Sequence, residues 1–208
     1  MENMEHRRVE QKNQDTQTSC DKKIEDLYHL IEGIRCCMMT TRCPKTGRLV
    51  SRCMAPHHPD EHTPADLWFF ANNASHKFEE LEADPNVNLA FCKESTSEWI
   101  SVSGKAKVVN DREKIKQLYK PTIKPWFGDL KDGVHDGGPN DPRVSLIFVE
   151  AETVHYSKKD TPTPVQIWNI AKGIITGEPR KVSADRNLDT QELQHAREVN
   201  QLEDNVVA

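Results

Sequence analysis

The sequence predicts a mainly β, α+β domain in which a sheet carries flanking helices, and three observations predict it. Residues 86–108 hold two runs in which apolar and polar side chains alternate, the pattern of half-buried strands. Leu67-Trp68-Phe69-Phe70 is a continuous apolar run bounded by polar residues and reads as a strand covered on both faces. Apolar residues at helical spacing flank these runs, at Ile24, Leu27, Ile31 and Ile34 and again at Ile115 and Leu118.

Taken in order, residues 1–19 are polar, lack a periodic apolar face and are expected to be disordered. Ser19 is placed to cap a helix from Cys20, whose end Gly33 weakens. Arg35 to Thr41 reads as the first strand, Pro44-Lys45-Thr46-Gly47 as a turn and Gly47 to Ala55 as the second strand. Strand alternation sets Val50, Arg52 and Met54 on one face and Leu49, Ser51 and Cys53 on the other. The loop that follows holds His57, His58, Asp60, Glu61 and His62, residue types that ligate metals. Such a segment is more often a hydrated surface loop, and no metal is expected.

Beyond the strand around Trp68, Ser75 is placed to cap a helix with Glu79 and Glu80 in or near its first turn, and Asp84-Pro85 stops it. Val87, Leu89 and Phe91 mark a fourth strand. Ile100, Val102, Gly104, Ala106 and Val108 share one face of a long fifth, whose small residues suit a tightly curved sheet. Asn110-Asp111 caps the helix carrying Ile115, Leu118 and Tyr119. Lys120 to Arg143 is a long irregular loop that needs a functional or interfacial reason. Trp126 and Phe127 stand in it, and pinning it to the core is their simplest role. Val144 to Val149 opens the last strand, with a bulge expected before Val154-His155-Tyr156. A helix is expected over Val165 to Ile175, and from 184 onward a solvated helix or disorder, because Leu188, Leu193 and Leu202 lie far apart. The expected division is a tail over 1–19, one domain over 20–160 and a helical extension over 161–208.

Composition narrows the function. The 208 residues carry a net charge of −5 with no basic run, which speaks against nucleic acid. No apolar run approaches the roughly 18 residues a membrane span needs. The first residues match neither a secretory nor a mitochondrial leader, so a cytoplasmic location is expected. Cysteines at 20, 36, 37, 43, 53 and 92 form no C-x-x-C and are expected to be reduced thiols.

The pattern with chemistry in it is Arg52, Ser75 and Lys77. A hairpin can bring the two cations together beside a helix start, whose free N–H donors and positive dipole end favour phosphate. Arginine adds a forked contact and lysine a point charge. The plainer alternative is a capped surface helix and two solvated cations.

The ordered motifs S-R-C-M, L-W-F-F-A, S-H-K-F and D-P-N-V-N-L-A-F, then W-I-S-V-S-G-K-A-K-V-V-N-D-R-E-K-I, P-W-F-G and D-P-R-V-S-L-I-F-V, span residues 51–149. Together they resemble the FMN-binding split-barrel family related to pyridoxamine 5'-phosphate oxidase, in its general stress protein branch. H-D-G-G-P-N-D-P-R and A-K-G-I-I-T-G-E look most like its fungal blue-light-inducible members.

The resemblance implies a six-stranded antiparallel Greek-key split β-barrel with flanking helices, and a homodimer with FMN, or FAD in its place, in the groove between subunits. By motif, Ser51, Arg52, Cys53 and Met54 would line the ring and phosphate side. Trp68, Phe69, Phe70 and Ala71 would run beneath the isoalloxazine edge, Ser75, His76 and Lys77 would hold the phosphate, and Trp126 would come from the partner. Many relatives have Pro where Cys53 and His76 stand. The true oxidases carry a C-terminal segment with substrate-binding Arg and His; the stretch after Val154-His155-Tyr156, S-K-K-D-T-P-T-P-V-Q-I-W, holds no such pair, so vitamin B6 synthesis is not expected. No catalytic residue is assigned. The expectations are a flavin-dependent oxidoreductase of stress response using NAD(P)H, or a non-catalytic flavin-binding or storage module in redox or light response. A deazaflavin or haem is the third option, with His76 and Cys53 weak axial candidates.

Overall fold

A computed structural model describes residues 14–57, 65–159 and 183–207, with side chains of the final helix described to Val199. The expected disorder before residue 14, the loop from His58 to His62 and the helix over Val165 to Ile175 lie outside the described residues.

Helix α1 (Cys20–Ile34) starts where the sequence says, with the Ser19 hydroxyl accepting from the Lys22 N–H, and it ends at a left-handed Arg35. Its apolar stripe buries Leu27, Leu30 and Ile31. Strands β1 (Cys37–Arg42) and β2 (Leu49–Met54) form a hairpin. Then come β3 (Leu67–Asn72), helix α2 (Lys77–Ala83), β4 (Asn86–Lys93) and β5 (Glu98–Val109). Helix α3 (Arg112–Leu118) is capped by Asp111, whose carboxylate accepts from the Glu113 and Lys114 N–H groups. A 3-10 turn (Pro121–Ile123) and short helix α4 (Lys124–Phe127) precede β6 (Val144–Lys158), β7 (Ala184–Leu188) and helix α5 (Thr190–Val207).

Every strand pairing is antiparallel, in the order β2-β1-β4-β5-β6-β3, with β7 also on β6. The long β6 lies along β5 and offers its other edge to β3 in its first half and to β7 in its second. The sheet is not closed by a ladder. Among the described residues its two ends meet past β2, where Pro56 bridges Phe69 and the His57 N–H donates to the Trp68 carbonyl at 2.7 Å. The α+β class and the split-barrel neighbourhood of the fold stand as read, but with seven strands among the described residues rather than six.

The seventh strand is the main correction. A solvated helix or disorder was the expectation from residue 184, yet Ala184, Arg186 and Leu188 are buried on one face of β7, and Leu193 of α5 is buried too. Arg186, in the middle of the inward face, hides the strand from a hydropathy reading. Its burial is tolerated because it donates to Asp26 of α1 (2.5 Å) and to Asp15 (2.8 Å). Burial pushes the Asp26 carboxyl up, but the Lys158 and Lys22 ammonium groups outweigh it and hold the carboxyl below its usual range. Helix α5 opens with a reciprocal cap: Asp189 accepts from the Glu192 N–H, and Glu192 accepts from that of Asp189.

Arg197 of α5 forks onto buried Asp66, which also accepts from the Ala151 N–H at 2.8 Å. Asp66→Asn would weaken that fork and is expected to cost about 2 kcal/mol of stability, read as a fall in the denaturant midpoint at unchanged slope.

The sheet has two apolar sides. One holds the main core, with Met39, Phe69, Leu89, Phe91, Ile100, Ile147 and Val154. The other is a smaller cluster in which Ile115, Val144 and Leu146 pack with Trp68, Phe70, Leu118 and Phe127. The apolar run of β3 is therefore covered on both faces. The β5–β6 register shifts between Ser103 and Gly104, which is the bulge expected before Val154. The Lys120 to Arg143 loop is irregular but tied down. Fully buried Asp141 accepts from Arg143 and from the Gly137 N–H, and Arg143 also donates to the Phe127 and Gly128 carbonyls.

Candidate cofactor site

The hairpin register sets Arg52 opposite Met39, with Thr41 on the same inward face of β1. Arg52 donates to the Thr41 hydroxyl at 2.8 Å and to Glu80 Oε2 at 2.5 Å, and Thr41 donates to that same oxygen. Glu80 lies on the inward side of α2 and is buried. The start of α2 brings Lys77 to the same corner. Its Nζ donates to the Ser75 hydroxyl at 2.8 Å, and that hydroxyl donates in turn to the Asn72 carbonyl. Burial pushes the Lys77 ammonium below the usual lysine range, the Arg52 charge pushes it further, and Glu80 offsets part of this.

The corner thus holds two cations against one carboxylate, and that carboxylate is already engaged. Among the described residues the Lys77 ammonium has one acceptor, a neutral hydroxyl. A half-buried ammonium so partnered, beside a guanidinium, is a place where an added anion gains two charge-assisted contacts. The residues fit a phosphate monoester.

One part of the expected mechanism is corrected. Ser75 does not cap the helix: α2 begins at Lys77, His76 occupies the cap position, and no side chain caps it. The Ser75 hydroxyl is taken by the Asn72 carbonyl instead, in a turn closed by the Ser75 N–H to that carbonyl. With only two turns of helix behind it, the corner draws its positive charge from side chains.

The other expected residues separate by face. Ser51 and Cys53 are exposed on the outer face of β2, Ser51 sharing a 2.8 Å hydrogen bond with Thr40. Met54, Phe69 and Ala71 are buried in the main core, so Phe69 and Ala71 have only backbone groups to offer a ligand. Trp68 packs on Phe148 with ring centroids 4.6 Å apart and Lys114 above its ring, while Phe70 meets Tyr119 and His57 edge-on. His76 is exposed. Trp126 is 74% exposed, whereas Phe127 packs into the smaller cluster. Of the two loop aromatics, Phe127 is the pin.

Thr41 and Glu80 escaped the sequence reading. Glu80 looked like an ordinary first-turn acid, and the one available hint for Thr41 was its inward place after Cys37 and Met39. The described residues contain no convergence of three or more His, Cys, Asp or Glu side chains. No described helix is long and apolar enough to cross a membrane.

An open antiparallel barrel sheet with a cationic corner between an edge hairpin and a short helix defines a small α+β domain of the split-barrel kind. The chain belongs to the family described as "Pyridoxamine 5'-phosphate oxidase like", whose model matches residues 22–181. It is 43% identical over 187 residues to Protein bli-3 of Neurospora crassa, covering 90% of this chain and 89% of that protein. Its fold matches the general stress protein 26 of Bacillus anthracis str. Sterne with a TM-score of 0.52 at 22% identity, over 64% of this chain and 92% of that one. It also matches the general stress FMN/FAD binding protein of Xanthomonas citri with a TM-score of 0.53 at 20% identity, over 65% and 88%.

Proposed function

We propose that Arg52, Lys77 and Ser75 hold the phosphate of a riboflavin nucleotide, FMN or FAD, and that the chain is a flavin-binding protein of stress response. The observation that carries this reading is the half-buried Lys77 ammonium beside Arg52 with one neutral acceptor. The FMN/FAD-binding name of the Xanthomonas citri structure supports the choice of anion. In this reading Thr41 and Glu80 hold the Arg52 guanidinium in place, while backbone groups of residues 68–71 serve the ring edge. The flavin supplies hydride and electron transfer when bound.

The ring groove is completed by a second copy of the chain, and the residue we place there from the partner is Trp126. Exposed Trp126 and Leu130, both on the loop from Lys120 to Arg143, offer apolar surface that a second copy would cover, which supports a homodimer. Trp126→Ala is then expected to weaken both flavin retention and the dimer. Flavin titration and sedimentation velocity check this, and unchanged values in both would leave Trp126 with no part in either.

Two uses of the bound flavin remain. One is an oxidoreductase using NAD(P)H. The other is a binding or storage module, in keeping with a corner whose one carboxylate, Glu80, is engaged in holding Arg52 and Thr41. We assign no vitamin B6 synthesis, since residues 157–168, directly after Tyr156, hold neither Arg nor His. The test is the absorption spectrum of the purified protein, titration with FMN, FAD and riboflavin, and anaerobic addition of NAD(P)H. Bleaching at catalytic rate would establish the oxidoreductase, and stable colour the storage module. Absence of any FMN binding would refute both.

A further inference from the structure

The outer face of the β1–β2 hairpin carries a feature for which the anion corner has no use. Cys53 pairs across the hairpin with Met38, and Cys36 lies two residues before Met38. Alternation sets the Cys36 and Cys53 side chains on one face, as a diagonal pair on adjacent strands. Both are exposed free thiols, and partial burial and then the neighbouring Cys53 thiol push the Cys36 thiol above its usual range. Arg52 is next to Cys53 in sequence, but its side chain lies on the opposite face, with Thr41 and Glu80.

The other cysteines are differently placed. Cys37 faces the core, and burial pushes its thiol up to about 12, which leaves it inert. Cys20 is half-buried against the Glu192 carbonyl of α5. Cys43 sits in the turn of the hairpin, at its far end from Cys36 and Cys53. Cys92 lies exposed on β4, where the Met38–Ala90 register carried on by two residues sets it opposite Cys36, and it is the natural competitor.

We infer that Cys36 and Cys53 are a redox-modifiable dithiol that closes to an intramolecular disulfide under a peroxide or glutathione disulfide. With hydrogen peroxide, one thiolate attacks the O–O bond and becomes a sulfenic acid, releasing the first water. The second thiol then attacks that sulfur, forming S–S and releasing the second water. Two thiols and one peroxide give one disulfide and two waters. With glutathione disulfide, two successive exchanges transfer the S–S bond to the protein and release two glutathione thiols.

The geometry allows the bond at modest displacement. Diagonal neighbours across strands sit about 7–8 Å apart, and a disulfide reaches to about 7 Å between Cα atoms. Cys36 precedes the first residue of β1, so the approach is made outside the β1–β2 ladder. The bond would staple the edge hairpin and stiffen the strand that carries Arg52 without entering the corner. The inference does not rest on flavin binding.

The experiment uses the full-length chain stripped of small molecules, treated with hydrogen peroxide or glutathione disulfide, alkylated, and mapped by mass spectrometry without reduction. Cleavage after Arg35, Arg42, Arg52 and Lys77 releases peptides 36–42 and 53–77. The expected product links these two, has lost two hydrogen masses, and is reversed by dithiothreitol. Cys36→Ser and Cys53→Ser should each abolish the link, while Cys37→Ser and Cys92→Ser should leave it. A link from Cys36 to Cys92 or Cys37, an intermolecular product, or sulfinic acid without a link would overturn the inference. So would full alkylation of both thiols after either oxidant. An FMN titration of the same sample is read separately, so failure of the dithiol and failure of the flavin reading are told apart.

Discussion

Lys77→Met is expected to weaken FMN binding by about 10- to 100-fold while riboflavin binding and the melting temperature change little. The range is that of one hydrogen bond to a charged group, about 1.5–3 kcal/mol, with each tenfold worth about 1.4. Lys77 is the clean probe because its one described acceptor, Ser75 Oγ, can do without it: that hydroxyl keeps its bond to the Asn72 carbonyl. Arg52 is not a clean probe. Arg52→Ala strips buried Glu80 of its cationic partner, so loss of FMN in the Arg52→Ala/Lys77→Ala double variant would be mixed with loss of stability. Pairing Arg52→Ala with Glu80→Gln removes that fault. Equal losses of FMN and riboflavin affinity in Lys77→Met would show that the corner does not hold the phosphate.

The same lysine sets a pH dependence with a definite sign. In the anion-free protein its pKa lies below the unfolded value, so the charged ammonium is disfavoured by folding, and that penalty starts to fall as pH rises through the lowered pKa and is gone above the unfolded one. A bound phosphate favours the ammonium. FMN affinity should therefore fall over that same rise in pH, beginning below the usual lysine range, and Lys77→Arg should flatten the fall. Titrations across the alkaline range check both.

Gly104→Ala is expected to destabilise the protein by about 3 kcal/mol or prevent folding, because the site has no room for one methyl group. A Cβ there would lie 2.1 Å from the Glu150 carbonyl oxygen, at the point where the β5–β6 register shifts. The obstacle is backbone, which no side-chain rotation relieves. At about 2–4 °C per kcal/mol for a chain of this size, the melting temperature should fall by roughly 10 °C. A variant melting within a degree or two of the parent would mean that the bulge relaxes freely.

Much of this was legible in residues. Ser19 and Asp111 cap their helices as read, since a cap is a contact between near neighbours in sequence. The strands of the hairpin, β4 and β5 were visible because alternation is imposed by the pleat itself. Arg52 and Lys77 were visible as charges, and their family motif suggested a shared role. Ser75 shows the limit: as a cap it was a sound local reading, but Asn72 offered its hydroxyl a better acceptor. Glu80 and Arg186 show a deeper one, since each looks solvated until its partner from a distant segment is in place.

The chain by itself determined where strands and helices form up to the end of β6 and which charges are available, because those follow from side-chain period and short-range hydrogen bonding. Only the tertiary structure decided which charges face each other, that Glu80 would be spent on Arg52, and that the segment from Ala184 would complete the edge of β6. The reason is physical: a buried charge is stable only with its counter-charge, and that partner is supplied by folding over separations that no local pattern records.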